Sequence, residues 1–188
     1  MKIKEIKGIS ELNKMKINGV GILPFSFYKG EYYFLYGREA KDINWDERGL
    51  WGNFGGSVNK TKETNFEAMI REFWEETNGV FGDKKQIEQY INKNQSKLLI
   101  VHSEGYKGVV LFLPIKYSKE IEKSIEITFK FVKDVLENKK NLENSRKRGF
   151  LEKDMGKWFN INELKKNMHI FRNCEKELIG YIGQKFTD

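Results

Sequence analysis

The hydrophobic pattern of the chain changes its period at about Glu63. Before this point, aromatic and β-branched residues dominate 17–27 and 31–36, with Lys29-Gly30 in the short segment between them, and this pattern predicts a strand hairpin. After it, the apolar spacing is that of a helix with one buried face, carried by Phe66, Ile70, Phe73 and Thr77. Because a sheet and an amphipathic helix each need a partner for their apolar face, the change restricts the chain to folds in which helices cover a sheet.

The remaining pattern alternates between strand-like and helix-like segments. Further strands are predicted at 50–58, 97–102, 108–117 and 157–161. Further helices are predicted at 118–140 and about 173–186, with another short helix just before the latter and a short helix or turn at 88–94. The order β-β-β-α-β-β-α-β-α predicts the α+β class, a mixed β-sheet sandwiched between helices. Since no repeat or linker divides the chain, we expect one domain over 1–188.

The composition narrows the possible chemistry. Cys174 is the only cysteine, which excludes an intrachain disulfide and a cysteine-rich zinc site. The two histidines, His102 and His169, lie in no recognisable metal or triad spacing. Catalysis would therefore depend on carboxylates, lysines, arginines and backbone groups. The 34 Lys+Arg against 27 Asp+Glu give a net charge of +7, which favours a polyanionic partner.

The hydropathy of the chain gives no sign of a membrane protein. The longest apolar run, 109–115, is much shorter than the ~20 residues of a membrane helix. The first ten residues also lack the apolar stretch of a signal peptide. We therefore expect a cytoplasmic protein with no membrane partner, and the sequence leaves its oligomeric state open.

Three glutamates share one side of the helix that follows Glu63. Glu72, Glu75 and Glu76 lie within about 100° of arc, on the side opposite the apolar residues. Like charges at i, i+4 repel by ~0.2–0.5 kcal/mol, and a divalent cation would remove this penalty. Hard oxygen ligands of this kind suit Mg²⁺ or Mn²⁺. The alternative is an ordinary solvated acidic face.

The segment 55–79 resembles a known motif. Gly55-Gly56 is followed by a loop, by Glu63, by Arg71-Glu72-Phe73-Trp74-Glu75-Glu76 and by Gly79, and this order resembles the Nudix box of the Nudix hydrolase superfamily. The resemblance implies the Nudix fold, an α/β/α sandwich. It also implies divalent-metal-dependent hydrolysis of a diphosphate linkage, by attack of water on phosphorus, in a nucleoside diphosphate joined to a group X.

The resemblance assigns roles to individual residues. Mg²⁺ or Mn²⁺ would be held by Glu72, Glu75, Glu76 and the Gly56 carbonyl. Arg71 would orient the catalytic glutamates Glu75 and Glu76, with Glu63 as its structural partner. A further catalytic carboxylate is expected before the late strand, and Glu152 is the first choice. Behind it stand Glu143, Asp154, Glu122 and Glu126.

The chain departs from the family pattern at two places. Six residues rather than five separate Gly56 from Glu63, which could shift the Gly56 carbonyl. Two residues, Thr77-Asn78, precede Gly79 where one is usual. Because asparagine tolerates the left-handed conformation, Asn78 is expected to cap the helix C-terminus.

The identity of X is less determined than the reaction. The Phe-Gly-Gly form of the box loosely resembles viral and microbial Nudix proteins that act on capped mRNA or diphosphoinositol polyphosphates. The basic run Arg146, Lys147 and Arg148, with exposed aromatics such as Trp45, Trp51 or Tyr106, would suit capped RNA or another polyanion. The alternatives are a small-nucleotide pyrophosphohydrolase acting on ADP-ribose, a dinucleoside polyphosphate or a nucleoside triphosphate, a catalytically inactive Nudix-fold module that binds nucleotides or RNA, and a plain RNA-binding protein.

Overall fold

The computed structural model describes residues 3–42, 44–104, 106–136, 139–146 and 149–186. The strands in these residues are β1 (Ile3–Ile6), β2 (Gly19–Tyr28), β3 (Glu31–Glu39), β4 (Trp51–Gly52), β5 (Phe54–Ser57), β6 (Leu99–Ser103), β7 (Gly108–Pro114) and β8 (Lys153–Asn160). The α-helices are α1 (Ile9–Lys14), α2 (Asn65–Glu76), α3 (Lys84–Lys93), α4 (Lys119–Leu136), α5 (Lys139–Arg146), α6 (Ile161–Lys166) and α7 (Glu175–Lys185).

The strands form one mixed sheet whose central strands separate at one end. The order runs β1-β6-β7-β2-β3, with β2 and β7 parallel and the other pairs antiparallel. β2 and β3 pair from Phe25 to Phe34 around the Lys29-Gly30 turn. Beyond this hairpin, β5 pairs with β2 and β4 pairs with β3. The segment 51–57 therefore lies in the gap between two central strands, and it brings Gly55-Gly56 into the middle of the sheet.

Helices cover both faces of this sheet. On one face, Val20 and Ile22 of β2 belong to a core cluster with Phe66, Met69 and Phe73 of α2, which also takes in residues of α1, α3 and α4. On the other face, a second cluster joins β2, β3 and β7 to α6 and α7. The α+β prediction, a mixed sheet between helices, is confirmed. Within the described residues, no helix is both long and apolar enough to span a membrane.

The predicted elements differ from the observed ones in three respects. The strand predicted at 50–58 is two strands, because its first part pairs with β3 and its second with β2. The last strand begins at Lys153 rather than 157, since a buried lysine interrupts the apolar pattern that marks a strand. The short elements β1, α1 and α5 were not predicted, because each is shorter than nine residues and mostly polar or exposed.

Both ends of α2 are fixed by local hydrogen bonds. Thr64 and Glu67 form a capping box at its start. At its end Asn78 is left-handed, with φ 49°, and its N–H donates to the Glu75 carbonyl while the Gly79 N–H donates to Trp74. This is the Schellman arrangement, so the inserted residue completes the helix C-terminus. The Asn78 Oδ1 also accepts from the Leu151 N–H at 3.3 Å, which ties α2 to the loop before β8.

We expect Asn78→Ala to lower the free energy of unfolding by about 1–2 kcal/mol more than Asn78→Gly does. Both variants lose the bond to Leu151, but only glycine adopts a positive φ without steric cost. Chemical denaturation of the two variants measures the difference. Equal stability of the two would contradict a left-handed residue 78.

Candidate active site

The end of the sheet at Gly55-Gly56 opens into a polar cleft of about 550 Å³. Four glutamates and three arginines make its charged walls: Glu72, Glu75, Glu76, Glu152, Arg71, Arg146 and Arg172. Much of the remaining wall is backbone at Gly55, Gly56 and Gly149. The cleft therefore brings together the three box glutamates, the predicted further carboxylate and one residue of the predicted basic run.

Arg71 connects the carboxylates on α2 to the loop before the helix. Its Nε and Nη2 donate to the two oxygens of Glu63 at 2.9 and 2.8 Å. Its Nη1 donates to Glu72 and Glu75 at 2.8 and 2.9 Å, and Nη2 also reaches the Ser57 carbonyl. One guanidinium thus holds three carboxylates, a geometry that a lysine cannot reproduce.

The acidic side of α2 is buried, contrary to the alternative of a solvated face. Glu72, Glu75 and Glu76 are 9%, 8% and 2% exposed. Burial raises the pKa of each of these carboxyls, and that of Glu76 most, while Arg71 opposes the rise at Glu72 and Glu75. Because these carboxylates are buried, water does not screen the repulsion between Glu72 and Glu76. Two neighbouring cations, Arg71 and a buried lysine, offset it instead.

The cation beside Glu76 is a fully buried lysine. Lys153 Nζ lies 3.3 Å from Glu76 Oε1 and also contacts Glu39, which is fully buried itself. Burial alone would lower the pKa of Lys153, but Glu76 and Glu39 outweigh it and raise this pKa. The second oxygen of Glu76 accepts from the Gly55 N–H. Both oxygens of this carboxylate therefore have partners within the fold.

Glu152 lies on the wall of the cleft, whereas the four alternative carboxylates do not line it. Burial raises the pKa of Glu152 to about 7, and the charges of Glu72 and Glu75 add to the rise. Asp154 pairs with Arg38 at 2.8 Å, and Glu122 accepts from the Trp158 N–H. Two more lie on the exposed sides of helices, Glu126 and Glu143.

The chemistry of these donors fits a divalent cation. Several carboxylates face one cleft at a cost in desolvation that Mg²⁺ or Mn²⁺ would offset, since both prefer oxygen ligands. A Cβ at Gly56 would lie 2.6 Å from the Glu72 carboxyl, so Glu72 can approach this backbone only because residue 56 is glycine. Within the described ranges, no three His, Cys, Asp or Glu side chains are already arranged around one metal position. These carboxylates pair with Arg71 and Lys153 instead.

Of the residues predicted to bind substrate, Arg146 and Trp45 line the cleft. Arg146 lines the cleft, and its Nη2 donates to Asp42 at 2.8 Å. Lys147 and Arg148 lie outside the described residues. Trp45 is 40% exposed at the cleft, with the Arg172 guanidinium 4.9 Å from its ring centre.

The other two aromatic candidates are not free platforms for a base. Trp51 is 7% exposed and packs edge-on against Phe159. Tyr106 donates its hydroxyl to the Val20 carbonyl. Trp51 is therefore not exposed for stacking, and the Tyr106 ring is partly buried with its hydroxyl bound to β2.

Sequence reasoning missed the basic and acidic residues that support the cleft from below. Lys153 and Glu39 are one such pair. Arg172 also belongs to this group, because it forms ion pairs with Glu39 at 3.2 Å and with Glu47 at 2.7 Å. Glu175 accepts from the Asn53 N–H at 3.1 Å and from its Nδ2 at 2.8 Å, which fixes the loop before Gly55. Partners separated by more than 100 positions leave no periodic signal in one sequence.

Comparison with known proteins gives short or distant likenesses. No protein-family model matches the chain. A stretch of 61 residues is 41% identical to the uncharacterized protein L534 of Acanthamoeba polyphaga mimivirus, covering 32% of this chain and 20% of that protein.

Three solved structures that resemble the chain have TM-scores under 0.5. The Nudix domain of Shewanella oneidensis NrtR, complexed with ADP ribose, has a TM-score of 0.48 at 14% identity, covering 93% of this chain and 90% of that one. A C. elegans Ap4A hydrolase has a TM-score of 0.45 at 14% identity, covering 89% and 96%. A mutT/nudix family protein from Listeria innocua has a TM-score of 0.45 at 12% identity, covering 91% and 96%. At these identities and TM-scores the likeness does not extend to activity or substrate, so the function of this chain rests on its own site.

We expect Arg71→Ala to lower the free energy of unfolding by about 2–3 kcal/mol, because it leaves Glu63, Glu72 and Glu75 without their shared cation. Arg71→Lys should recover only part of the loss, since one ammonium cannot reach all three carboxylates. Thermal and urea unfolding of the two variants test this. Wild-type stability of Arg71→Ala would show that the guanidinium does not hold the site together.

Proposed function

We propose that this chain is a Nudix hydrolase, a single domain over 1–188 that splits a diphosphate linkage in a nucleoside diphosphate joined to X. The observation that carries this proposal is a group of four glutamates around one cleft with Arg71: Glu72, Glu75 and Glu76 are buried, and Glu152 is partly buried. A solvated acidic helix face would show no such burial. A binding module that no longer catalysed would have no need to retain this many desolvated carboxylates.

The acidic wall would hold the metal. Glu72, Glu75 and Glu76, with the Gly56 carbonyl, would bind Mg²⁺ or Mn²⁺, which polarises the phosphoryl oxygen and lowers the pKa of the attacking water. Glu152, which also lines the cleft, would accept the proton of the water. Arg71 would keep Glu72 and Glu75 in place.

The basic wall of the cleft would bind the phosphates of the substrate. Arg146 is half-buried there, and its Nε is buried without a hydrogen-bond partner among the described residues. Trp45 offers an exposed ring on which a base could stack. Arg146 begins the basic run whose next residues are Lys147 and Arg148, and the net charge of the chain is +7. These features favour a polyanionic X, such as a capped RNA, over a small neutral group.

We expect Glu75→Gln to reduce kcat by several orders of magnitude, because the change removes a charged metal ligand while Arg71 still has Glu63 and Glu72 as partners. Product formation is measured by chromatography with Mg²⁺, with Mn²⁺ and in excess EDTA, because most diphosphate linkages split into two phosphorylated products. The substrate panel contains nucleoside triphosphates, dinucleoside polyphosphates, ADP-ribose, NADH, capped RNA and diphosphoinositol polyphosphates.

The matched control for this experiment is Glu120→Gln, which removes the same charge from the exposed start of α4 and should leave kcat unchanged. Full activity of the wild type in EDTA would contradict the metal assignment. Metal-independent binding of nucleotides or RNA without any turnover would favour the inactive module.

We expect Arg146→Gln to raise KM for capped RNA or a diphosphoinositol polyphosphate at least about tenfold more than KM for ADP-ribose, since each lost phosphate contact weakens a long polyanion most at low salt. KM is compared across the three substrates at two salt concentrations. Lys130→Gln, on the exposed side of α4, is the matched control. Equal effects on all three substrates would favour a small nucleotide over a long polyanion as the substrate.

A further inference from the structure

A lysine ammonium is buried directly behind the proposed metal-binding wall. Lys153 is fully buried at the first position of β8, and its Nζ contacts carboxylates on two different elements, Glu39 of β3 and Glu76 of α2. A buried lysine is costly unless it is paired on all sides. Lys153, Glu39 and Glu76 therefore stabilise the fold only as a set, since removing the lysine alone would take this cation from two buried carboxylates.

Glycine at position 37 leaves room for this side chain. A Cβ at Gly37 would lie 3.0 Å from Lys153 Cδ, whereas one at Gly52 would lie 2.8 Å from Arg172 Cδ and at an ordinary contact distance of 3.6 Å from Lys153 Nζ. Gly37 and Gly52 face each other in the β3–β4 pair. The stem of Lys153 therefore passes the β3 backbone at Gly37, and its ammonium reaches Glu76 of α2.

Glu76 differs from the other box glutamates in how it is held. Glu72 and Glu75 share Arg71, whose side chain is 25% exposed at the cleft. Glu76 has Lys153 on Oε1 and the Gly55 N–H on Oε2, both from inside the protein. Its carboxylate is therefore fixed from behind, independently of Arg71.

We propose that Lys153 is a positioning residue that sets the Glu76 carboxylate for the divalent cation. This inference rests on the proposed function, because it assumes that Glu76 is a metal ligand. Partners behind a ligand typically contribute 10- to 100-fold in metal affinity by orienting it. Without the ammonium, Glu76 loses its buried cation and the contact that fixes Oε1, while Glu39 keeps Arg172 as its partner.

Two variants separate positioning from mere charge balance. Lys153→Met leaves Glu39 unpaired on one side, so its melting temperature in EDTA should fall. The double variant Lys153→Met/Glu39→Gln removes the charges of Lys153 and Glu39 together and leaves that of Glu76, so its melting temperature should rise part of the way back to the wild-type value. Arg172 keeps Glu47 as a partner in the double variant.

Mn²⁺ binding to the substrate-free protein is measured by calorimetry for the wild type and both variants. We expect the Kd for Mn²⁺ to rise roughly 10- to 100-fold in both, including the double variant with partly restored stability. Lys157→Met is the matched control, since it removes the same charge from the same strand where the lysine lies over the Phe159 ring. Its Kd should equal that of the wild type.

The outcomes distinguish this inference from the proposed function. Wild-type binding of Mn²⁺ together with unchanged or tighter binding by the double variant overturns the role of Lys153 and leaves the hydrolase proposal standing. Recovery of affinity along with stability in the double variant would show that Lys153 serves only to balance Glu39. No binding of Mn²⁺ by the wild type, with no turnover on the substrate panel, overturns both proposals.

Discussion

Carboxylates buried on α2 can exist in this fold only because two cations reach them from inside the molecule. Arg71 neutralises Glu72 and Glu75 from the cleft side, and Lys153 neutralises Glu76 from the sheet side. An uncompensated buried carboxylate would cost several kcal/mol or take up a proton. The position of α2, the path of β8 and the glycine at Gly37 of β3 allow Arg71 and Lys153 to reach these carboxylates.

These ion pairs lie where the central strands β2 and β3 separate. Because β4 and β5 fill the gap between β2 and β3, the backbone of Gly55-Gly56 approaches α2 closely enough for the Gly55 N–H to meet Glu76. The same gap places Trp51 and Gly52 against β8 and Arg172. One irregularity of the sheet therefore brings backbone donors, carboxylates and cations to a single cleft.

Local signals predicted most of the fold and the acidic part of the site. The change of period near Glu63 gave α2, the glycine pair marked the close approach, and the order of elements gave the α+β class. The cations behind the site were beyond the reach of one sequence, because Lys153 and Arg172 resemble surface residues and their partners Glu39 and Glu47 lie more than 100 positions away. The burial of Glu76 depends on Lys153, whereas Glu72 and Glu75 have Arg71 of their own helix as a partner.

The hydrogen bonds from Asn53 to Glu175 connect the loop before Gly55 with the first turn of α7. Residue 53 leaves the ribosome long before residue 175, and chains grow at roughly 5–20 residues per second. Once residue 152 has left the ribosome, the nascent chain carries all four glutamates of the cleft, but it lacks the contact that fixes the Gly55 loop until residue 175 follows. The Gly55 loop therefore cannot take its final contacts before the first turn of α7 has been synthesised.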